Sequence, residues 1–357
     1  MCALAQSSLE RAVMLAREKR YAEARKALDG VAEPADARQR IAFHRLRAAV
    51  ASGLGEAAVA ADEMAAALTL APADEGLLLA TAAAESAAAR LDDALKHATA
   101  AGRNAAAQEL IGDIQERRGQ YVEAAKAYQA AIAAAPDREQ YRIALALELV
   151  EHHTFEAAIV VLEQAAPLFP KSARIRTLLG IAQYAAGHSE QAIDSLTEAV
   201  SLDPNLDPAQ KYLAQIALES PAAPPDGAVA AVCRHDVVAC GALQLRVARQ
   251  REDGALMKTA IANLQRGGAE NAIARCELGR AYQWTERWAE ARVQMEVCVR
   301  LDPSPQNHYR LGVIYGQLGL PDLARKEMEL RNQTAERLSQ EVERRANAVQ
   351  AFQYVVK

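Results

Sequence analysis

Three prolines at constant spacing constrain this chain more than any other feature. Pro136, Pro170 and Pro204 are each separated by 34 residues, and Pro303 closes a similar block downstream. Between them one framework recurs. Over 173–206 it reads Leu179-Gly180, Gly187, Ala192, Leu196, Ala199, Leu202 and Pro204. Residues 105–138 supply Ile111-Gly112, Gly119, Tyr121, Ala124, Tyr128, Ala131 and Pro136, and 139–172 supply Leu145-Ala146, Phe155, Ala158, Leu162, Ala165 and Pro170. Downstream, 272–304 has Leu278-Gly279, Tyr282, Trp288, Ala291, Met295, Cys298, Leu301 and Pro303; 305–336 has Leu311-Gly312, Tyr315, Gly319, Ala324 and Met328. A period of this length means one supersecondary unit stacked along the chain. A small residue at the eighth position, as at Gly180, lets two antiparallel helices touch. Larger residues such as Leu179 and Leu196 fill the seam to the next unit. Proline then ends the second helix, because it lacks an N–H and clashes with the preceding turn.

Weaker copies extend upstream. Residues 41–74 carry Ala48, Gly55, Ala60, Met64, Ala67 and Pro72, whereas 75–104 is a shortened block with Ala82, Leu91, Ala94 and Ala101. The opening segment offers Leu15, Tyr21, Ala24 and Leu28. Composition agrees with helices throughout: 82 of 357 residues are alanine, the best helix former, and only 4% are aromatic. A sandwich or barrel would need branched and aromatic side chains instead. With 18 Gly and 13 Pro the chain is neither collagen-like nor low-complexity. A net charge of −5 supplies no basic footprint for nucleic acid, and the densest basic cluster, Arg38 to Arg47, spreads around a helix as a solvated face. The longest apolar run, near Leu77–Ala84, is too short to span a membrane.

The framework resembles the tetratricopeptide repeat, a 34-residue helix–turn–helix unit. The resemblance implies an all-α fold: a right-handed superhelical solenoid of stacked antiparallel helix pairs, roughly eight or nine repeats, in a bacterial member of the family. The expected organisation is an N-terminal array over 1–206, with weak repeats at 5–104 and clear ones at 105–206. An irregular or distorted repeat pair with a Pro-rich loop at 220–227 fills 207–271, where helices are expected near 208–219, 228–250 and 254–266. Two further repeats occupy 272–331. A C-terminal capping helix, 332–357, covers the last seam; its apolar Phe352, Tyr354, Val355 and Val356 offer an oligomerising surface as the alternative.

By the same resemblance, the first helix of each repeat lines a groove that holds a peptide or partner protein. Transferred position by position, the groove begins with Glu109, Asp113 and Glu116, then Ile143, Leu147 and Val150. It continues through Arg174, Thr177, Ile181 and Tyr184, then Lys211 and Gln215, then Arg280, Gln283 and Trp284, and ends at Tyr309 and Val313. The partner-binding candidates are Arg174, Thr177, Ile181, Tyr184, Lys211, Gln215, Arg280, Trp284 and Tyr309, with Trp284 and Tyr309 as anchors because large aromatics dominate interface energetics. Packing between neighbouring helices is an equal alternative for these two. The carboxylate clamp of chaperone-binding members is absent in this register: Glu109, Asp113, Ala144, Arg174 and Leu178 stand where Lys and Asn are required, only Arg174 fits, and the two acids would repel a carboxylate.

Catalysis is not expected: the chain has no G-x-S-x-G, Walker loop, dinucleotide fingerprint or H-E-x-x-H, and His152-His153 fall at a turn. No cofactor and no metal are expected, and a monomer is favoured. Five cysteines form no zinc spacing. Cys233 and Cys240 read as small buried hydrophobes, which cannot bridge within one continuous helix, though a turn between them would change that. Cys276 and Cys298 fall at repeat positions 5 and 27, which face each other, and they bridge if their Cα atoms lie within about 7 Å. The chain as it stands reads as cytoplasmic. Ala3-Leu4-Ala5 resembles a signal-peptidase site, so a periplasmic or secreted protein whose leader precedes this start is the alternative. That alternative is an exported assembly factor stabilised by a disulfide.

Overall fold

The computed structural model describes residues 2–220 and 223–355, with side chains over 8–220 and 223–344. The side chains of Cys2, Ala3-Leu4-Ala5, Phe352, Tyr354 and Val355, and the whole of Val356, lie outside this description. The described residues form twenty helices, divided between two compact units, Met1–Pro170 and Lys171–Lys357. In unit 1 the helices pair in sequence: α1 (Cys2–Arg17) with α2 (Tyr21–Leu28), α3 (Ala37–Gly53) with α4 (Ala57–Leu70), and α5 (Glu75–Ala87) with α6 (Leu91–Ala100). Then α7 (Ala105–Arg117) pairs with α8 (Tyr121–Ala134) and α9 (Glu139–Glu151) with α10 (Phe155–Ala165). Unit 2 continues the scheme with α11 (Ala173–Ala185) and α12 (Ser189–Leu202), α13 (Asp207–Glu219) and α14 (Asp226–Cys233), and α15 (Val237–Gln250) and α16 (Gly254–Gln265). It ends with α17 (Ala272–Trp284) on α18 (Trp288–Leu301) and α19 (Pro305–Gln317) on α20 (Pro321–Val355). The first member of each pair is called the A helix below and the second the B helix. Among the described residues no helix is long and apolar enough to cross a membrane.

Local sequence sets these boundaries. Seven of the ten A helices start behind side-chain caps: Asp36, Asp74, Asn104, Ser172, Asp236, Asn271 and Ser304 each accept a backbone N–H from the first turn. They end in a left-handed residue followed by a backbone bond reaching five residues back, as in Gln120 N–H to the Gln115 carbonyl (2.8 Å) and His188 N–H to the Gln183 carbonyl (2.8 Å). Gly119 and Gly187 fill that left-handed position at little cost, but Ala89 (φ 60°) and Glu286 (φ 56°) fill it without glycine's freedom.

Alanine makes the pairs thin. Ala124, Ala131, Ala158, Ala165, Ala192, Ala199 and Ala291 are all fully buried where A and B helices cross. At the eighth position a side chain has no room: a Cβ on Gly180 would sit 2.6 Å from Leu196 Cγ and 3.1 Å from the Ala192 carbonyl, and one on Gly112 would sit 2.5 Å from the Tyr128 ring. Larger side chains fill the seams, so the core of each unit is a succession of small clusters. In unit 1 one of them joins Ala124, Tyr128 and Leu145. In unit 2 another joins Leu196, Leu213 and Leu243.

Two expectations about helix limits fail. The single helix expected over 228–250 is broken at 234–236, because Asp236 accepts the N–H groups of Val238 and Ala239 (2.9 Å each) and starts α15. That turn brings the Cα atoms of Cys233 and Cys240 to 4.5 Å, and the two are disulfide-bonded rather than separate buried thiols. At the other end no boundary falls between 331 and 332. The last B helix continues without a break, so the capping segment and the final repeat share one helix, α20.

Candidate functional site

The A helices of unit 2 lie side by side, α11 against α13, α13 against α15, and α15 against α17. Their outer face carries three adjoining concavities. One of about 520 Å³ is lined by Lys211, Gln215, Glu219, Arg246, Ile273, Glu277 and Arg280. The next, about 750 Å³, shares Glu219, Arg246, Glu277 and Arg280 with it and adds Arg249, Trp284 and Arg310. A third, about 430 Å³, shares Arg310 and adds Gln283, Gln306, Tyr309 and Arg331.

The structure thus brings Lys211, Gln215, Arg280 and Trp284 into one continuous depression, with Tyr309 at its end. It does not bring all the groove candidates there. Thr177 is a correction: it is buried, and its hydroxyl donates to the Ala173 carbonyl (2.8 Å), so it presents nothing to a partner. Arg174 is exposed and Ile181 half-buried, but neither lines these concavities. Tyr184 packs on the unit 2 core and donates its hydroxyl to Glu219, which in turn accepts from Gln215 (3.0 Å); both residues therefore position Glu219. Lys211 is exposed and paired with Asp207 (2.9 Å).

Residues that the repeat positions did not mark supply the strongest electrostatics. Arg246 reaches back to the C-terminus of α13, donating to the carbonyls of Ala217 (3.1 Å), Ser220 (2.7 Å) and Leu218. A cation at that end satisfies orphan carbonyls and the helix dipole together. Arg249 lies over the Trp284 ring, 4.3 Å from its centroid, a cation–π contact that fixes the indole while Trp284 also packs on the core. Arg280 pairs with the buried Glu277 (2.6 Å), yet its Nε is buried with no hydrogen bond. Burial, together with the charge of Arg280, pushes the Arg310 guanidinium down from its ordinary range. Among the described residues Arg249 and Arg310 have neither a hydrogen bond nor an ion pair. Arg246 and Arg249 sit in the segment whose repeats could not be phased, and Arg310 sits at position 6, which the family's groove pattern omits.

Unit 1 carries the opposite charge on its A helices. Tyr128 donates to Asp113 (2.7 Å) and to Glu116 (3.4 Å), and Gln140 donates to Glu109 (3.4 Å). Glu148 of α9 is buried beside them, with His152 Nε2 3.5 Å away. Its carboxyl is pushed up to about 7, first by burial and then by the charge of Glu116. Among the described residues no group of three or more His, Cys, Asp or Glu is arranged to hold a metal ion. The second disulfide, Cys276–Cys298, joins α17 to α18 with Cα atoms 4.8 Å apart, directly beneath the arginine-lined face.

These helix pairs define a repeat scaffold. A family model described as tetratricopeptide repeat matches residues 149–216, and a second with the same description matches 77–139. Over those residues the chain carries tetratricopeptide repeats. Among solved structures it is similar to the C-terminal part of a repeat-containing protein from Cytophaga hutchinsonii (16% identity, TM-score 0.47, covering 72% of this chain and 94% of that one). It is also similar to a tetratricopeptide repeat protein from Parabacteroides merdae (14%, TM-score 0.42, 80% and 98%). A third is PilW, described as a widely conserved type IV pilus biogenesis factor (15%, TM-score 0.46, 58% and 98%). No curated protein matches the chain.

Proposed function

We propose that this protein is a non-catalytic interaction scaffold that holds a segment of a partner protein on the A-helix face of unit 2. The observation that carries the reading is the depression running over α13, α15, α17 and α19. It combines an indole held in place by Arg249 with two guanidinium groups, Arg249 and Arg310, that have neither a hydrogen bond nor an ion pair among the described residues. Side-chain caps at the starts of α15, α17 and α19 help keep such a face preorganised, which lowers the ordering cost of binding. The test is affinity capture followed by mass spectrometry with wild type, Trp284→Ala, Tyr309→Ala and, as an off-site control, Arg174→Glu. The first two variants should lose partners that the third keeps, while helical circular dichroism stays unchanged. Partners retained by all three would retire the face.

A second reading concerns where the scaffold works. Two disulfides, Cys233–Cys240 and Cys276–Cys298, both in unit 2, favour an oxidising compartment such as the periplasm or the cell exterior, where such bonds persist. This supports an exported assembly factor over a cytoplasmic scaffold. Thiol titration of protein purified from its native source, before and after reduction, decides it: four additional reactive thiols after reduction are expected, and none would remove the reading.

A further inference from the structure

The structure assigns a ligand chemistry to this face, resting on the scaffold reading above. We propose that Arg249, Arg280 and Arg310, with Trp284, receive an acidic stretch of the partner, its side-chain carboxylates on the guanidiniums and a neighbouring apolar side chain on the indole. Four arginines and two glutamates line the central concavity, a surplus of two positive charges in a chain whose net charge is −5. The surplus is not distributed evenly. Arg246 is committed to the α13 carbonyls, and Arg280 is half-committed to Glu277. Arg249 and Arg310 remain, on helices α15 and α19 that flank the indole of α17.

Like charges gathered on a partly desolvated surface repel one another, and a guanidinium cannot relieve this by losing its proton. The relief available is a counter-charge, and a carboxylate meets a guanidinium through two parallel hydrogen bonds. Glu219 and Glu277 stand in the same concavity and would repel a doubly charged phosphate more strongly than a carboxylate. The depression also runs on past the cluster toward Gln215 on one side and Tyr309 on the other, which suits an extended segment rather than a compact anion. Because the cluster reads side chains along a segment, a free C-terminus is not required.

The experiment is fluorescence anisotropy on the full oxidised chain, using a labelled ten-residue peptide of glutamates around one phenylalanine, its C-terminus amidated. Matched probes replace Glu by Gln or by phosphoserine. Wild type should bind the Glu peptide at least about tenfold more tightly than the Gln peptide, with affinity falling as salt rises. Arg249→Gln and Arg310→Gln should each weaken binding about tenfold or more, while Arg174→Gln leaves it unchanged. The Arg249→Glu/Arg310→Glu double variant should instead prefer a Lys-containing peptide, which a misfolded face would not do. Equal binding of Glu and Gln peptides, tighter binding of the phosphoserine peptide, or wild-type affinity in the two Gln variants would overturn the proposal. Partners captured through Trp284 but indifferent to Arg249 and Arg310 would overturn the ligand class alone and leave the scaffold reading standing.

Discussion

In unit 1, α7 and α9 gather Glu109, Asp113, Glu116 and Glu148; in unit 2, α15, α17 and α19 gather Arg249, Arg280 and Arg310. Both are concentrations of like charge on the A helices of one scaffold, but their chemistry differs. A carboxyl crowded by other carboxylates can keep its proton, and Glu148 does so up to about pH 7 while Tyr128 donates to its neighbours. A guanidinium stays charged at any pH the protein meets. Acidic crowding is therefore settled within unit 1. Basic crowding in unit 2 has no such internal outlet, and in the proposed scaffold a partner's carboxylates relieve it. The contrast also extends to covalent reinforcement, since both disulfides lie in unit 2.

That last difference carries the largest expected effect. Reducing Cys276–Cys298, which spans 22 residues, should cost about 3 kcal/mol, and Cys233–Cys240, which spans 7, about 2 kcal/mol. Hydrogen exchange resolved by segment should show the loss over 226–301 and little change over 37–165. An equal loss in both units would break the comparison. Next comes Arg246→Ala, which leaves the Ala217, Leu218 and Ser220 carbonyls without their donor and should destabilise unit 2 by about 2 kcal/mol in urea unfolding.

Glu148 tests the acidic side. Its folded-state value lies above the ordinary glutamate range, so the stability it contributes is complete below about pH 4.5 and is lost as pH rises through about 7. The groups facing it are Asp113, Glu116, Glu151 and His152. Glu148→Gln should flatten the stability profile in that window and gain about 1–2 kcal/mol at pH 8. A profile as steep as wild type would show that the acids of unit 1 are not crowded. The smallest effect belongs to the turns. Ala89→Gly removes a left-handed alanine in unit 1 and should gain about 0.5 kcal/mol, making that turn equivalent to the Gly187 turn of unit 2.

The repeat architecture was legible wherever proline, the position-eight small residue and the B-helix alanines coincide, as between Ala105 and Pro204. It blurred where the framework bends. α14 has only 8 residues, cut short by the Pro-rich loop, and Gly267-Gly268 lengthens the following pair. Gly241 is the position-eight residue of α15, since a Cβ there would meet the Ala260 carbonyl at 2.9 Å, but its distance to Gly279 is out of step with the period. The face was half legible for the same reason. Trp284, Arg280 and Tyr309 could be placed by position in well-formed repeats, whereas Arg246 and Arg249 belong to the pair that has no readable phase. Thr177 failed because small rotations about a helix axis decide between groove and seam. Transferred positions fix that rotation only approximately.

The central claim is that unit 2, and not unit 1, presents the partner-binding face. A photo-crosslinking residue placed in turn at Tyr309 and at Leu147, each about half exposed on an A helix of its own unit, reads this directly in the native compartment. The account predicts a discrete partner adduct from position 309, lost in the Arg249→Gln/Arg310→Gln background, and none from position 147. An adduct from 147 with none from 309 would contradict it.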